Sequence, residues 1–369
     1  MLEKEGHRMD VLFPSNFKML FQKDSLLKAA RHEGGVNRRL FLAYATALYG
    51  IPMLGQATTI NRRMKFASNP FSLGVASGDA NSTSVVLWTR LAPKPLDPDG
   101  GMPNLGVPVQ WRLATDDGMQ NIAASGQQLA TPQLGHSIHV TAGQLKPDTW
   151  YWFQFSVNGE ESVVGRTRTM PARFANPKQL SFAAASCQSL EQGYYTAYDR
   201  MAEDGLDLVF HLGDYIYEYN AGNQGNIRKH HGGEIVSLSD YRVRHAQYKL
   251  DPALQKAHAR CPWFVTWDDH EVDNNCADEI SEQKNVKPVD FLIRRAAAYQ
   301  AYYENMPLRR TSLPAGPYLQ LYRRGAFGQL AEFMVLDGRQ YRSDQPNNDV
   351  RSPLNEAALN PETTMLGKD

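Results

Sequence analysis

Between residues 70 and 171 the chain runs in short apolar and aromatic stretches separated by turn formers. They include Ser84-Val85-Val86-Leu87-Trp88-Thr89, Val109-Gln110-Trp111-Arg112-Leu113, His136-Ser137-Ile138-His139-Val140 and Trp150-Tyr151-Trp152-Phe153-Gln154-Phe155. Regularly spaced runs rich in β-branched and aromatic residues predict short strands and an all-β sandwich. After the proline-marked junction at 170–177 the period changes. Apolar runs at 180–185, 206–210 and 263–267 predict buried strands, with two more at 320–323 and 331–336. Helical patterns separate them: 193–205 with a glycine stop, a long stretch capped at Ser239 and broken or restarted at Asp251-Pro252, and 290–305 ended by Pro307. Strands alternating with helices predict an α/β unit over 178–369.

Within the first unit, Leu145-Lys146-Pro147-Asp148-Thr149-Trp150-Tyr151 fits a tyrosine corner, in which a phenol bonds back to the upstream backbone. On these features residues 70–171 resemble fibronectin type III and immunoglobulin-like modules. His136 and His139 alternate poorly for one strand face and read as surface or turn residues. The loop over 220–235 is rich in glycine, asparagine and charge, and loops of that length are functional or disordered. Its Arg228, Lys229, His230 and His231 either meet an anion or sit in solvent, and solvent is the simpler expectation.

The amino end has another character. Asn37-Arg38-Arg39-Leu40-Phe41-Leu42 precedes an apolar, small-residue stretch and then Gly55-Gln56-Ala57. An arginine pair before a modest apolar segment resembles a twin-arginine export signal. The apolar part is short for a spanning helix; the alternatives are a helix of the folded protein or a membrane anchor. Export implies that residues 1–58 are a leader, that membrane contact is transient, and that the protein works in the periplasm or outside the cell. Lysine plus arginine and aspartate plus glutamate both number 39, so charge gives no reason to expect nucleic-acid recognition. Cys187, Cys261 and Cys276 are too few for a disulfide framework; a Cys261–Cys276 pair would leave Cys187 free.

Candidate chemistry gathers where the predicted strands end. The 206–210 run leads into His211-Leu212-Gly213-Asp214-Tyr215-Ile216-Tyr217-Glu218, and the 263–267 run into Asp268-Asp269-His270-Glu271. Functional groups collect at strand ends of α/β sheets. Asp214 reads as a metal ligand that bridges two ions, because a carboxylate offers two oxygens to hard cations. Tyr217 adds a phenol, which ionises near neutral pH only when a highly charged ion stabilises it. Cys187 follows the 180–185 run and favours a redox-capable metal if it acts as thiolate; otherwise it is a buried inert thiol. Asp268, Asp269, His270, Asp273, Asn274 and Asn275 form the second cluster. Consecutive residues point apart, so one of Asp268 and Asp269 binds metal directly and the other supports it or serves a second ion.

These motifs, together with Asp337-Gly338-Arg339-Gln340-Tyr341-Arg342-Ser343, resemble those of the alkaline phosphatase D (PhoD-like) metallophosphoesterases. Phe71-Ser72-Leu73-Gly74-Val75-Ala76-Ser77-Gly78-Asp79 and Leu87-Trp88-Thr89-Arg90 resemble that family's amino-terminal β-domain. The resemblance covers about residues 70–369. It implies a multidomain protein: an amino-terminal fibronectin/Ig-like sandwich followed by an α/β metallophosphoesterase-like domain. It also implies hydrolysis of phosphate mono- and diesters, small or polymeric, by a metal-bound hydroxide. Fe(3+) would be held by Cys187 and Tyr217, with Asp214 bridging to Ca(2+), and Asp268 or Asp269 with Asn275 would serve the calcium. His270 falls where related enzymes place a histidine near the phosphate, with Asp269 as its catalytic neighbour.

The family also draws ligands from a Gly-Asp-Val-His-like segment that is not found after Asp337. The expectation is therefore a chain incomplete at its carboxy terminus. The alternative function is an inactive remnant acting as a binding or structural β-sandwich protein.

Overall fold

The computed structural model describes residues 64–367. The predicted leader lies outside them. Thirteen strands and four α-helices appear among the described residues.

Six strands form the central sheet: β1 (Val75–Gly78), β2 (Val85–Arg90), β5 (Ser137–Ala142), β9 (Phe182–Ala185), β10 (Leu208–His211) and β11 (Trp263–Val265). Their order is β5-β2-β1-β11-β10-β9. β9, β10 and β11 run parallel to one another, β1 joins β11 in parallel at Gly78 and Trp263, and β2 and β5 add antiparallel. The second sheet holds β3 (Val107–Ala114), β4 (Ile122–Ala130), β6 (Trp150–Val157) and β7 (Glu160–Glu161), with β8 (Gly165–Arg168) pairing β6 along the same edge as β7.

Pleating explains the two main cores. Successive strand residues face opposite ways. Leu208 and Phe264 therefore join Val85, Leu87, Val109, Ile138, Phe153 and Phe155 in the core between the sheets. Val209, Trp263 and Val265 turn to the other face, where the helices cover them. Those helices are α1 (Thr196–Met201), α2 (Leu238–Lys249), α3 (Pro252–His258) and α4 (Pro288–Asn305).

Local chemistry sets the helix starts. Ser237, not Ser239, caps α2. Its side chain accepts from the Asp240 N–H, and Asp240 answers the Ser237 N–H, a reciprocal box that Ser239 has no acid to close. Asp251 ends one helix and caps the next, accepting from Ala253 and Leu254, with Pro252 in the first helical position. The last two strands are β12 (Arg323–Phe327) and β13 (Ala331–Val335), an antiparallel hairpin apart from the central sheet. The first therefore begins where the predicted 320–323 run ends. Leu319 and Leu321 are spent on the helix-side core instead.

The tyrosine corner is present, with the Lys146 N–H donating to Tyr151 Oη at 2.9 Å. Of the two histidines read as surface or turn residues, His136 does lie in the turn before β5, but neither is exposed. His136 is buried against the Leu105 carbonyl, and His139 stacks on Tyr303 while its Nδ1 meets the Leu308 carbonyl. Burial pushes both down to about 4. The 220–235 loop is tied down too: Glu191 accepts from the N–H groups of Gly222, Gln224 and His230, and Arg228 pairs with Asp251. Cys261 and Cys276 are both buried and free, so no disulfide joins them. No helix among the described residues is long and apolar enough to cross a membrane.

Candidate metal centre

The centre sits where β10 and β11 end. The strands are parallel neighbours, so their carboxyl ends open into turns on the same edge of the sheet. These turns nearly touch: a Cβ on Gly213 would lie 2.3 Å from the Asp268 nitrogen. Gly213 has φ +114°, and glycine alone accepts both that backbone and that approach. Cys187, Asp214 and Asn275 each hold a left-handed backbone, with φ of 55°, 54° and 53°. Such conformations in non-glycine residues cluster at binding sites, where the surroundings enforce them.

Oxygen and nitrogen atoms of Asp214, Asp269 and His270 lie within 4.8 Å of one another. The Tyr217 hydroxyl is 3.4 Å from Asp214 Oδ2, and its ring lies 4.2 Å from that of His270. The Cys187 thiol, exposed rather than buried, faces the same carboxyl, whose charge helps hold the thiol protonated. Its backbone is held from the same turn, through the Gly213 carbonyl at 3.1 Å. Cys187, Asp214, Tyr217, Asp269 and His270 thus converge.

Asp268 and Asn275 stand differently. Asp268 pairs with Arg339 at 2.6 Å. The Asn275 carboxamide donates to Glu282, while its backbone N–H reaches Asp269 Oδ2 at 2.6 Å. Of the two adjacent aspartates, Asp269 is the one grouped with Asp214 and His270.

Three further side chains support the centre. Glu218 accepts from His270 Nδ1 at 2.8 Å and, with its other oxygen, from the Asn274 N–H. Arg339 meets Asp268 and lies 3.5 Å from Asp269. Its turn is built by Asp337, which accepts from Trp267 Nε1 and from the N–H groups of Arg339 and Gln340. Glu271, fully buried, accepts from the backbone of both turns, at Asp214, Tyr215 and Asp268. Glu218 stands out in the sequence as the second acid after the β10 run; apart from motif position nothing marks Arg339 or Glu271, because each acts through neighbours brought in by the fold.

The electrostatics are those of a site that wants a cation. Burial pushes the Asp214 carboxyl up to about 6, opposed by His270 and reinforced by Asp269 and Asp268. Its Oδ1 is buried without a hydrogen-bond partner among the described residues. Burial raises the Tyr217 phenol, helped by Asp214 and Cys187, and raises the Cys187 thiol, helped by Asp214 and opposed by Ser186. Burial works against a charge on His270, but the Glu218 hydrogen bond, Asp269 and Asp214 together carry it up to about 9. An orphaned carboxylate oxygen beside a second carboxylate, a thiol and a phenol is a donor set that a metal ion would satisfy.

With this geometry in view, comparison with known proteins is decisive. The model of the PhoD-like phosphatase family matches residues 182–369, and that of the PhoD-like phosphatase N-terminal domain matches 55–171. The chain belongs to the PhoD-like phosphatase family. It is 52% identical over 343 residues to alkaline phosphatase D of Bacillus subtilis (strain 168), covering 90% of this chain and 58% of that protein. A solved structure titled "Structure of PhoD" superimposes with a TM-score of 0.81 at 55% identity, over 83% of this chain and 59% of that one. The chain thus spans somewhat under two thirds of the length of these PhoD-like relatives.

Proposed function

We propose that this PhoD-like chain serves an exported, metal-dependent phosphoesterase that hydrolyses phosphate mono- and diesters. The observation that carries this is the convergence of Asp214, Asp269 and His270 around the unpartnered Asp214 Oδ1. On this reading Cys187 and Tyr217 would hold Fe(3+), Asp214 would bridge, and Asp269 would serve Ca(2+) with Asn275 after a side-chain rotation. Bound cations supply charge neutralisation for the phosphate and activation of water. The fold reading that goes with it is an immunoglobulin-like sandwich continuous with a metallophosphoesterase-type sheet. Export by the twin-arginine segment to the periplasm or beyond is part of the same proposal.

The protein's own groups would do the rest. Glu218 fixes the His270 ring, so Nδ1 is engaged and Nε2 remains for a phosphate oxygen or a leaving group. Arg339 holds Asp268 and steadies Asp269, which keeps one aspartate for the ion and one for the frame. Specificity for the organic group rests on surfaces that this centre does not define.

Hydrolysis of a chromogenic phosphate diester, with iron and calcium supplied, tests the reading. Turnover should fall about 100-fold or more in Cys187→Ser and Asp214→Ala, since loss of a ligand exceeds the usual effect of losing an outer partner. Turnover indifferent to both changes, or absent from the unaltered protein, would count against it.

A further inference from the structure

The two metal-side turns are joined by one buried carboxylate. Glu271 Oε2 accepts from the Asp214 N–H at 3.1 Å and from the Asp268 N–H at 3.0 Å. Oε1 accepts from the Tyr215 N–H at 2.7 Å. Asp214 and Tyr215 follow β10, and Asp268 follows β11. The side chain is 1% exposed, and no arginine, lysine or histidine pairs with it among the described residues. Its two oxygens are met by three backbone amides, and those amides belong to two separate loops.

We propose that Glu271 is a positioning residue for the cation centre, setting the distance between the Asp214 turn and the Asp268–Asp269 turn. This rests on the cation reading of the site. The geometry fits the role closely. Gly213 brings the turns into contact, but contact alone does not fix their relative slide along the strand direction. A carboxylate accepting from both sides does, because its two oxygens have one fixed separation. Asp214 is also held at φ 54°, and an anchored N–H is what keeps its side chain aimed at the centre.

The substitution Glu271→Gln is informative because both oxygens are acceptors. Either orientation of the amide sets an NH2 group against at least one backbone N–H, so part of the link is lost with almost no change in volume. Glu271→Ala loses all of it. A merely structural carboxylate would lower stability and leave the affinity of folded molecules for metal untouched.

The experiment is a calorimetric titration with Ca(2+) of the unaltered protein, of Glu271→Gln, and of Tyr151→Phe, which loosens the distant tyrosine corner. Compared at temperatures of equal folded fraction, Glu271→Gln should bind about tenfold more weakly and Tyr151→Phe equally well. Equal affinity in Glu271→Gln and the unaltered protein overturns the positioning role and leaves the cation reading standing. An unaltered protein that takes up no Ca(2+) overturns both. Hydrogen exchange of the unaltered protein gives an answer that needs no variant. The Asp214, Tyr215 and Asp268 amides should gain protection together on adding Ca(2+), and independent behaviour of the two turns would refute the link.

Discussion

The Lys249 ammonium lies 4.4 Å from the ring centroid of Trp88, so the last turn of α2 is packed onto β2 through a cation and an indole. Tyr215 flanks it at 5.2 Å. Both side chains are buried, and no carboxylate pairs with the amine among the described residues. His211, His245 and His258 are buried close by, ringed around Tyr215.

This basic interior makes a contribution to stability that grows with pH. Burial pushes Lys249 down from 10.5 to about 7. Between those values the unfolded chain carries a proton that the folded one lacks, so stability rises with pH across the window and is flat below it. Burial, with Lys249 adding to it, takes His211 down to about 3 and pushes His245 and His258 well below 6.5. Below pH 6.5 stability should therefore fall again. His270, carried up to about 9, works against this rise below pH 9, so the Lys249 contribution is read by scanning calorimetry as a difference between two proteins. Lys249→Met should raise Tm at pH 7 by an amount that shrinks towards pH 10, leaving the acid limb in place. Parallel profiles for the two proteins would refute the assignment.

Gly213→Ala should be costly out of proportion to one methyl group. The added carbon would strike the Asp268 nitrogen, and φ +114° is hostile to any side chain. A loss of about 2 kcal/mol or more is expected. The two turns should separate as well, which amide chemical shifts of Asp214 and Asp268 would report.

Asp214→Asn should leave the metal-free protein as stable as before or slightly more so. A buried carboxyl pushed up to about 6, with one unpartnered oxygen, is a local liability until a cation arrives. In chelator the variant's Tm should match or exceed that of the unaltered protein. Calcium should raise Tm only in the unaltered protein. An equal rise in both would show that the ion binds elsewhere.

Asp79 ties the chain's two halves together. Its oxygens accept from the Arg309 N–H at 3.0 Å and from Arg323 Nε at 2.6 Å, and Arg323 reaches on to the Val265 carbonyl at 3.0 Å. Asp79→Ala strands a partly buried guanidinium and should cost about 3 kcal/mol or more in urea denaturation. A change below about 1 kcal/mol would mean that solvent replaces the lost pair.

What the sequence conveyed followed from periodicity and from motif position. The runs at β2, β3, β6, β10 and β11 are apolar enough to declare themselves, and each occurs within a few residues of its predicted place. β4 went unseen because Ile122–Ala130 is mostly exposed, and its small and polar residues carry no alternation to detect. The acidic clusters at the ends of β10 and β11 were visible as letters, but their approach depends on Gly213 lacking a side chain, which is a property of two loops at once. The burial of His136 and His139 was hidden for the same reason: the carbonyls that hold them come from residues 105 and 308. Long-range partners of that kind leave no local trace.

The pairing of Gly78 with Trp263 has a consequence for how such chains can be rearranged. A recombination event cut at the proline junction near residue 171 would not exchange one module for another. It would separate β1, β2 and β5 from the sheet they extend, exposing the β11 edge and the Trp88 and Asp79 contacts along with it. Shuffling at that seam is expected to yield insoluble progeny unless both parents share the strand-to-strand match. The amino-terminal strands and the strands that carry the Asp214 and Asp269 turns thus have to travel together for the sheet to form.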